Sequence, residues 1–361
     1  MTHDPLADRA RLPEVRIEPF DVHSASASTW AAYQRYRRVR DLDRAPDMPL
    51  TSDDEFVRTL QREEPLVQHH RWTALAADGE PVGNLLASTR RPGAPGANEH
   101  AALADAWCYV LPGWRRRGVA SCMLGTLHGF LQAQGRTLVT VQAHDPAAWA
   151  WLASLGTPPR LATVQNRLDF DLLDAALLWR WREAPAIAAQ GLRWELHAGR
   201  VPLDRLAQLL PVFERLFRHV PMGALEGPPV RFEMEDFRSW YADMDARGGA
   251  HHVALLLDAA GEVAALSIGS WDARVPEVLW QKLTTTDPRW RGLGLAKAVK
   301  AALLIGAREL HPSLRRAVTF NAEVNAPMLA VNRQMGYEVY RREAFYQVPR
   351  EAIGAWLAAR G

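Results

Sequence analysis

Apolar and polar positions follow two patterns along the chain, and each pattern predicts one kind of element. Runs rich in Val, Leu, Ala and aromatic residues, bounded by Gly, Pro and Asp, predict β-strands. Segments with an apolar stripe of helical period predict helices, and the clearest stripe is formed by Val119, Met123, Leu124, Leu127 and Leu131. Strands and helices therefore alternate, which indicates an α/β protein.

The two halves of the chain predict the same order of elements. In the first half, strands are predicted at 15–20, 71–78, 81–89, 102–110, 137–143 and 162–170, and helices near 29–41, 53–63, 118–134 and 146–154. In the second half, strands are predicted at 192–197, 252–258, 262–270, 277–286, 316–321 and 338–347, and helices near 203–218, 233–246, 293–309 and 326–334. Only the second half has a Gly/Pro-rich loop at 219–229, which is either a substrate lid or a surface insertion.

An internal repeat supports this parallel. "PGWRRRGVA" at 112–120 and "PRWRGLGLA" at 288–296 share Pro, Trp, Arg, Gly and Ala at an offset of 176 residues. Three further pairs of similar blocks follow the same order at nearly the same offset, namely 78–88 with 260–270, 137–145 with 317–325 and 152–156 with 332–336. We infer a duplicated domain, with a first domain at 1–178, a linker at 179–189 and a second domain at 190–361.

Composition narrows the functional classes. The chain of 361 residues has a formal net charge of +2, so no basic field points to nucleic acid. Two cysteines are too few for a disulfide framework or a zinc site, and the adjacent pairs His69–His70 and His251–His252 would point to opposite strand faces, so no metal is expected. No apolar leader or membrane-spanning run is visible, and a cytoplasmic protein without membrane partners is expected.

The repeated turn has the chemistry of an anion site. It follows a predicted strand and opens a helix, whose first N–H groups lack intrahelical partners and form the positive end of the helix dipole. Glycine permits a tight backbone path, and arginines add forked donors, so a cofactor with a diphosphate is expected. The Gly-Lys-Ser/Thr of a P-loop is absent, and a dinucleotide turn fits poorly because Lys297 stands where its third glycine belongs.

The turns "RRRGVA" at 115–120 and "RGLGLA" at 291–296 fit a third pattern, Arg/Gln-x-x-Gly-x-Gly/Ala, and "TFNAEVNAPMLAVNRQMGY" follows the second. On these motifs the sequence resembles the GNAT superfamily of N-acetyltransferases over nearly its whole length, as a tandem protein. The resemblance implies two twisted mixed sheets flanked by helices, each splayed between its fourth and fifth strands. It also implies acetyl-CoA as co-substrate and transfer of the acetyl group to a primary amine of a small molecule or peptide.

The resemblance also assigns site residues. In the first copy the cofactor contacts would be Val110, Arg115, Arg116, Arg117, Gly118, Val119 and Ala120. In the second copy they would be Arg291, Gly292, Leu293, Gly294, Leu295 and Ala296 at the turn, with Asn325 on the pantetheine arm and Asn321 lining the split.

Neither copy has the tyrosine that family members often use as a general acid, since Leu152 and Asn332 stand there. The first copy also has Asp145 in place of Asn325, so we expect the second copy to be catalytic. The first copy would bind coenzyme A without turnover or serve as a structural partner.

The sequence says less about the amine that accepts the acetyl group and about the base that deprotonates it. An amine must lose a proton before it attacks, and the candidate bases are Glu277, at the start of the fourth strand of the second copy, and Glu323, at the open end of the fifth. Aminoglycosides, small thiol-amines, polyamines and peptide N-termini all stay open as acceptors. The rival hypotheses are a non-catalytic coenzyme A-binding protein and a dinucleotide-dependent enzyme. The chain would be a monomer with pseudo-dimeric halves or a homodimer.

Overall fold

The structure of the protein is a computed structural model that describes residues 15–62 and 64–360. Residues 1–14, where no leader is expected, lie outside the described residues, as do residue 63, the last position of a predicted helix, and residue 361. Among the described residues, no helix is both long and apolar enough to cross a membrane.

The elements follow the predicted order. The first half contains β1 (Arg16–Pro19), α1 (Ala27–Arg44), α2 (Asp53–Gln61), β2 (Val67–Leu75), β3 (Pro81–Arg90), β4 (Leu103–Val110), α3 (Val119–Ala133), β5 (Leu138–Ala143), α4 (Pro146–Ala153) and β6 (Pro159–Asp169). Two helices that the sequence patterns missed follow, α5 (Ala175–Arg182) and α6 (Pro185–Ala189).

The second half repeats this arrangement. It contains β7 (Arg193–His197), α7 (Leu203–Phe217), α8 (Met234–Ala246), β8 (Ala250–Leu257), β9 (Val263–Trp271), β10 (Val278–Thr286), α9 (Leu295–Leu310), β11 (Arg316–Ala322), α10 (Ala326–Met335) and β12 (Glu338–Pro349). A helix that was not predicted, α11 (Arg350–Ala358), ends the described chain.

The chain forms two compact units, and their limits differ from those of the predicted domains. Of the described residues, the first unit holds 15–62, 64–143, 147–159 and 345–360, and the second holds 144–146 and 160–344. Most of β6 thus belongs to the second unit, because it forms seven antiparallel residue pairs with β11. The end of β12 and α11 belong to the first unit, where the Arg350 N–H donates to the Thr137 carbonyl at 2.9 Å.

The predicted linker at 179–189 is largely helical. It contains the end of α5 and all of α6, and the flanking Leu178 together with Ile187 is buried in the core of the second unit. This Ala/Pro-rich segment packs on the core of the second unit because its few large apolar residues lie on the buried side of two short helices.

Within each unit the sheet is mixed, as predicted. In the first unit β1 to β4 pair antiparallel in chain order, and β5 then pairs parallel to β4. In the second unit β7 to β10 pair antiparallel in the same way, β11 pairs parallel to β10, and β6 pairs antiparallel to β11. The predicted fold class, α/β with splayed mixed sheets, is confirmed.

The core of the second unit lies on both faces of its sheet. On one face α9 buries ten residues against β8, β9 and β10, including Val299 and Leu303. On the other face α7 and α8 cover Leu255 and Leu266 with Leu209, Phe213 and similar side chains. These two layers fix β10 between them, which matters for the site described below.

The adjacent His251 and His252 point to opposite faces of β8, as predicted. The His251 Nδ1 lies 2.8 Å from the Tyr241 hydroxyl, and the His252 Nε2 lies 3.0 Å from the Nε2 of His311. Burial lowers the pKa of His251 to about 3 and that of His252 to about 4, and the neighbouring imidazoles add to both shifts. No group of three or more potential ligand side chains among the described residues is arranged to hold a metal ion.

These two histidines make the free energy of unfolding depend on pH. Each is neutral when folded and binds a proton near pH 6.5 when unfolded, so its stabilisation is present above pH 6.5 and is lost as the pH falls toward 4. We expect each to contribute a slope of about 1.4 kcal/mol per pH unit in that window. Denaturant titrations between pH 7 and 4.5 should show a shallower slope for His252→Phe than for the wild type. The exposed His219→Gln is the control, and an equal slope in all three proteins would contradict this assignment.

Candidate functional site

The parallel pairing of β10 and β11 ends early. Four residue pairs join the strands, from Val278 with Arg316 to Gln281 with Thr319. A β-bulge follows at once, since the register of β10 against β9 shifts between Gln281 and Leu283. From Lys282 onward, the edge of β10 toward β11 has no strand partner among the described residues, so the sheet of the second unit is split there.

The second glycine turn lies at the mouth of this split. After β10 a short 3₁₀ turn, Pro288–Trp290, leads to Gly292 at φ +82° and Gly294 at φ +77°. Both are left-handed conformations that residues with a Cβ adopt at a cost. No described atom would lie within 4 Å of a Cβ at either glycine, so the space above the turn is open.

The donors of this turn are unused. The N–H groups from Gly292 to Ala296 reach no acceptor among the described residues, and no side chain caps α9. The Arg291 side chain is exposed and has no carboxylate within 4 Å in the described part of the chain. A row of free N–H groups at a helix N-terminus, with an arginine beside it, is an anion-binding arrangement.

Asp287 stabilises the turn through a buried carboxylate. Its carboxylate is only 2% exposed and accepts the Arg289 Nε and backbone N–H at 3.0 Å each, and it also pairs with Arg215 of α7. The hydrogen bond from the Arg289 side chain is the largest of the effects that hold the pKa of Asp287 far below its usual range. The sequence reasoning missed this residue, although an Asp directly before Pro at a strand end is a common turn signal.

The asparagines that the resemblance assigned are close to the split. The Asn332 Nδ2 donates to the Asn321 Oδ1 at 2.7 Å, and the Asn166 Nδ2 of β6 donates to the same oxygen at 3.2 Å. Asn332 is buried, and its own Oδ1 has no partner within the described residues. Asn325 caps α10 by accepting the Met328 N–H at 3.3 Å. The roles of Asn321 and Asn325 toward a cofactor stay predictions.

The two candidate bases lie at opposite ends of the split. Glu277 precedes β10 at the paired end of the strand, is 65% exposed, and has its carboxylate 3.8 Å from Arg315. That position is a solvated surface far from the turn, because β10 then runs nine residues before the turn begins. Glu323 lies at the open end of β11, is exposed, and has its carboxylate 3.4 Å from Arg342. Only Glu323 lies on the side where the split opens.

The first turn has the same backbone as the second. Arg115 and Arg291 share a φ of −68°, Arg116 at +63° stands where Gly292 does, and Gly118 at +83° matches Gly294. Arg116 is the one residue other than glycine with a positive φ in the described part of the chain. The first copy therefore retains the turn against the preference of its own sequence, at a cost of about 1–2 kcal/mol.

Two arginines of the first turn that were predicted to bind phosphate, Arg115 and Arg117, contact other groups of the protein. The Arg115 guanidinium pairs with Asp43 of α1, donates to the Tyr109 hydroxyl at 3.1 Å, and donates from Nε to the Val110 carbonyl at 3.1 Å. Arg117 lies over the Trp114 ring at 5.3 Å. Val119 begins α3 and is buried, with Ala120 behind it.

The split of the first unit is lined by apolar side chains. The pairing of β4 with β5 again ends after four pairs, at Ala106 with Val141. Beyond it Trp107, Trp151, Leu152 and Met123 line a cavity of about 30 Å³ with an entirely apolar lining.

Two lysines near the second split also bear on its chemistry. Lys300 of α9 is 1% exposed, its ammonium lies 4.6 Å from the centre of the Tyr337 ring, and burial lowers its pKa to about 7. Lys282 occupies the bulge of β10. Lys282 did not stand out in the sequence as a site residue, because a single lysine in a strand gives no signal until its surroundings are known.

Two mixed sheets, each splayed after four parallel pairs and followed by a turn with two left-handed residues, define the fold class of the acyl-CoA N-acyltransferases. A model of the Acetyltransferase (GNAT) family matches residues 36–157. No curated protein sequence matches the chain significantly. Residues 36–157 thus belong to the GNAT family, and the whole chain has the fold of a tandem GNAT protein.

Solved structures support this assignment of the fold. A tandem GNAT protein from the clavulanic acid biosynthesis pathway is 22% identical, with 93% of this chain and 99% of that chain covered and a TM-score of 0.68. A GCN5-related N-acetyltransferase from Sphaerobacter thermophilus is 18% identical, with 94% and 97% covered and a TM-score of 0.63. The predicted resemblance to tandem GNAT proteins is confirmed.

The left-handed glycines can be tested by their effect on stability. Gly294→Ala should lower the free energy of unfolding by about 1 kcal/mol, because φ +77° strains alanine even though its Cβ has open space. Gly306→Ala, inside α9 and equally free of contacts, should instead raise the free energy of unfolding by up to about 1 kcal/mol. Chemical denaturation measures both, and equal effects would contradict the turn geometry.

Proposed function

We propose that the second unit is an N-acetyltransferase that moves an acetyl group from acetyl-CoA to a primary amine by direct attack. The observation that carries the proposal is the row of unused N–H groups from Gly292 to Ala296 at the mouth of the split. Open space above both glycines and the unpaired arginine beside them fit a pyrophosphate.

The residues around the split suit the rest of the cofactor. The unpaired edge of β10 beyond Gln281 offers backbone groups to an extended pantetheine arm, much as a missing strand would. Asn321 and Asn325 lie on the opposite wall, at the end of β11 and the start of α10. When bound there, acetyl-CoA supplies the activated acyl group.

The chain's own residues then have three tasks. Backbone N–H groups of β10 in the split polarise the carbonyl that the amine attacks, which requires no particular side chain. Glu323 takes the proton of the incoming ammonium, directly or through a water molecule, and returns it to solvent after transfer. The amide of Asn332 stands where family members often have a tyrosine, so the departing thiolate is met by a polar but non-acidic group.

The first unit has a different task in this proposal. Its turn retains the backbone, but Arg115 is engaged with Asp43 and the split is lined by apolar side chains. We therefore assign one cofactor per chain, bound by the second unit, and a structural role to the first.

A matched pair of variants tests this assignment. Gly294→Glu places a negative charge at the second turn and should abolish acetyl-CoA binding in calorimetry and thiol release with any amine. Gly118→Glu makes the same change at the first turn and should leave binding at one cofactor per chain. Two binding sites in the wild type, or loss of binding in Gly118→Glu alone, would contradict the proposal.

A further inference from the structure

Lys282 is placed where the acyl group and the amine would meet. It is the bulged residue of β10, directly after the last pair with β11, so it lies at the base of the split. Leu279, three residues earlier, packs on α9 in the core. Strand alternation therefore puts Trp280 and Lys282 on the opposite face, and the Lys282 Nζ indeed lies 5.6 Å from the centre of the Trp280 ring.

That face is the one covered by α7 and α8. Leu283, the next residue of the bulge, packs against the cluster formed by these two helices. On β11 the same alternation places Phe320 on this face, since Ala317 packs with α9 on the other. Phe320 lies one residue past the last strand pair and is 41% exposed, so it flanks the opening across from Lys282.

The 219–229 loop is anchored on both sides of the split. The helix that leads into it, α7, is held near the end of β10, because Arg215 of α7 pairs with Asp287. The middle of the loop is fixed to β6, where the Ala224 N–H donates to the Arg160 carbonyl at 2.7 Å and Glu226 lies 3.4 Å from the Arg160 side chain. The 219–229 loop thus bridges the ends of β10 and β6, with β11 between them, in the position expected of a lid.

Charge and hydrogen bonding are unbalanced on this face. Lys282 is exposed, no carboxylate of residues 15–62 or 64–360 lies within 4 Å of its Nζ, and desolvation by the surrounding protein lowers its pKa. Gln165 of β6 pairs with Phe320 across the ladder and is 3% exposed, yet its Oε1 has no hydrogen-bond partner among the described residues. A cation without a counterion and a buried acceptor without a partner both favour a ligand that supplies them.

We propose that the acceptor of the second unit is an amine that also carries a carboxylate, which Lys282 binds while the unpaired oxygen of Gln165 accepts a hydrogen bond from the same molecule. This inference rests on the proposed function and narrows it. A single cation binds one carboxylate but repels a second ammonium group, so polyamines and aminoglycosides are disfavoured. The apolar ring of Phe320 and the indole of Trp280 add contact surface for the body of a small amino acid.

The test compares matched acceptors. Thiol release from acetyl-CoA is measured with the twenty L-amino acids and with their carboxamides, together with a set of diamines. We expect at least one amino acid to have a kcat/KM roughly tenfold or more above that of its amide, because a charge-assisted hydrogen bond is lost in the amide. Lys282→Met should bring this ratio close to one, mainly by raising KM for the acid. Lys297→Met removes another lysine that lies over a tryptophan ring, Trp181, and should leave the ratio unchanged.

A binding measurement separates this inference from the proposed function. The N-acetyl amino acids and their amides are screened against the coenzyme A-bound protein by ligand-observed NMR, which needs no turnover. If the acids bind in a way that depends on Lys282 but no amine releases thiol, the carboxylate site at Lys282 is supported and the proposed acetyltransferase function is contradicted. Equal use or binding of acids and amides by the wild type, or an unchanged ratio in Lys282→Met, would overturn the inference.

Discussion

The short parallel pairing between β10 and β11 is the constraint on which the second unit depends. Because α9 packs on one face of β10 and α7 with α8 on the other, the strand cannot follow β11 beyond Gln281 once the bulge has turned it. The separation leaves a backbone edge unpaired inside the protein. Such an edge is costly unless a ligand or water meets it, so the fold builds a binding slot into its own sheet.

The turn after the split shows that the fold fixes the backbone conformation there even when the sequence does not favour it. Two sequences, one with Gly292 and one with Arg116, follow the same left-handed path. The packing of strand, 3₁₀ turn and helix outweighs the local preference of arginine, which costs only about 1–2 kcal/mol. The first unit therefore has the duplicated turn although Trp107 and Trp151 line its split. The anion-binding backbone is a property of the fold, whereas the room for a cofactor depends on the side chains that line the split.

The compact units also change which residues meet at the site. Asn166 and Gln165 belong to the first half of the sequence, but β6 pairs with β11 and brings both to the split of the second unit. The 219–229 loop is anchored to the same strand. A site assigned to one repeat of the sequence is thus completed by a strand of the other. The second unit therefore depends on a strand that the first half of the sequence supplies.

The sequence by itself determined the repeat, the order of strands and helices apart from α5, α6 and α11, and the turn at Gly294, because periodicity and glycine positions are local properties of the chain. It also located Glu323 and Asn321 at the open end of a strand. Only the tertiary structure decided that Glu277 lies at the closed end, that Arg115 is paired with Asp43, and that Lys282 has no carboxylate beside it among the described residues. Pairing register, strand exchange and desolvation arise from contacts between distant segments, and no local pattern of residues encodes them.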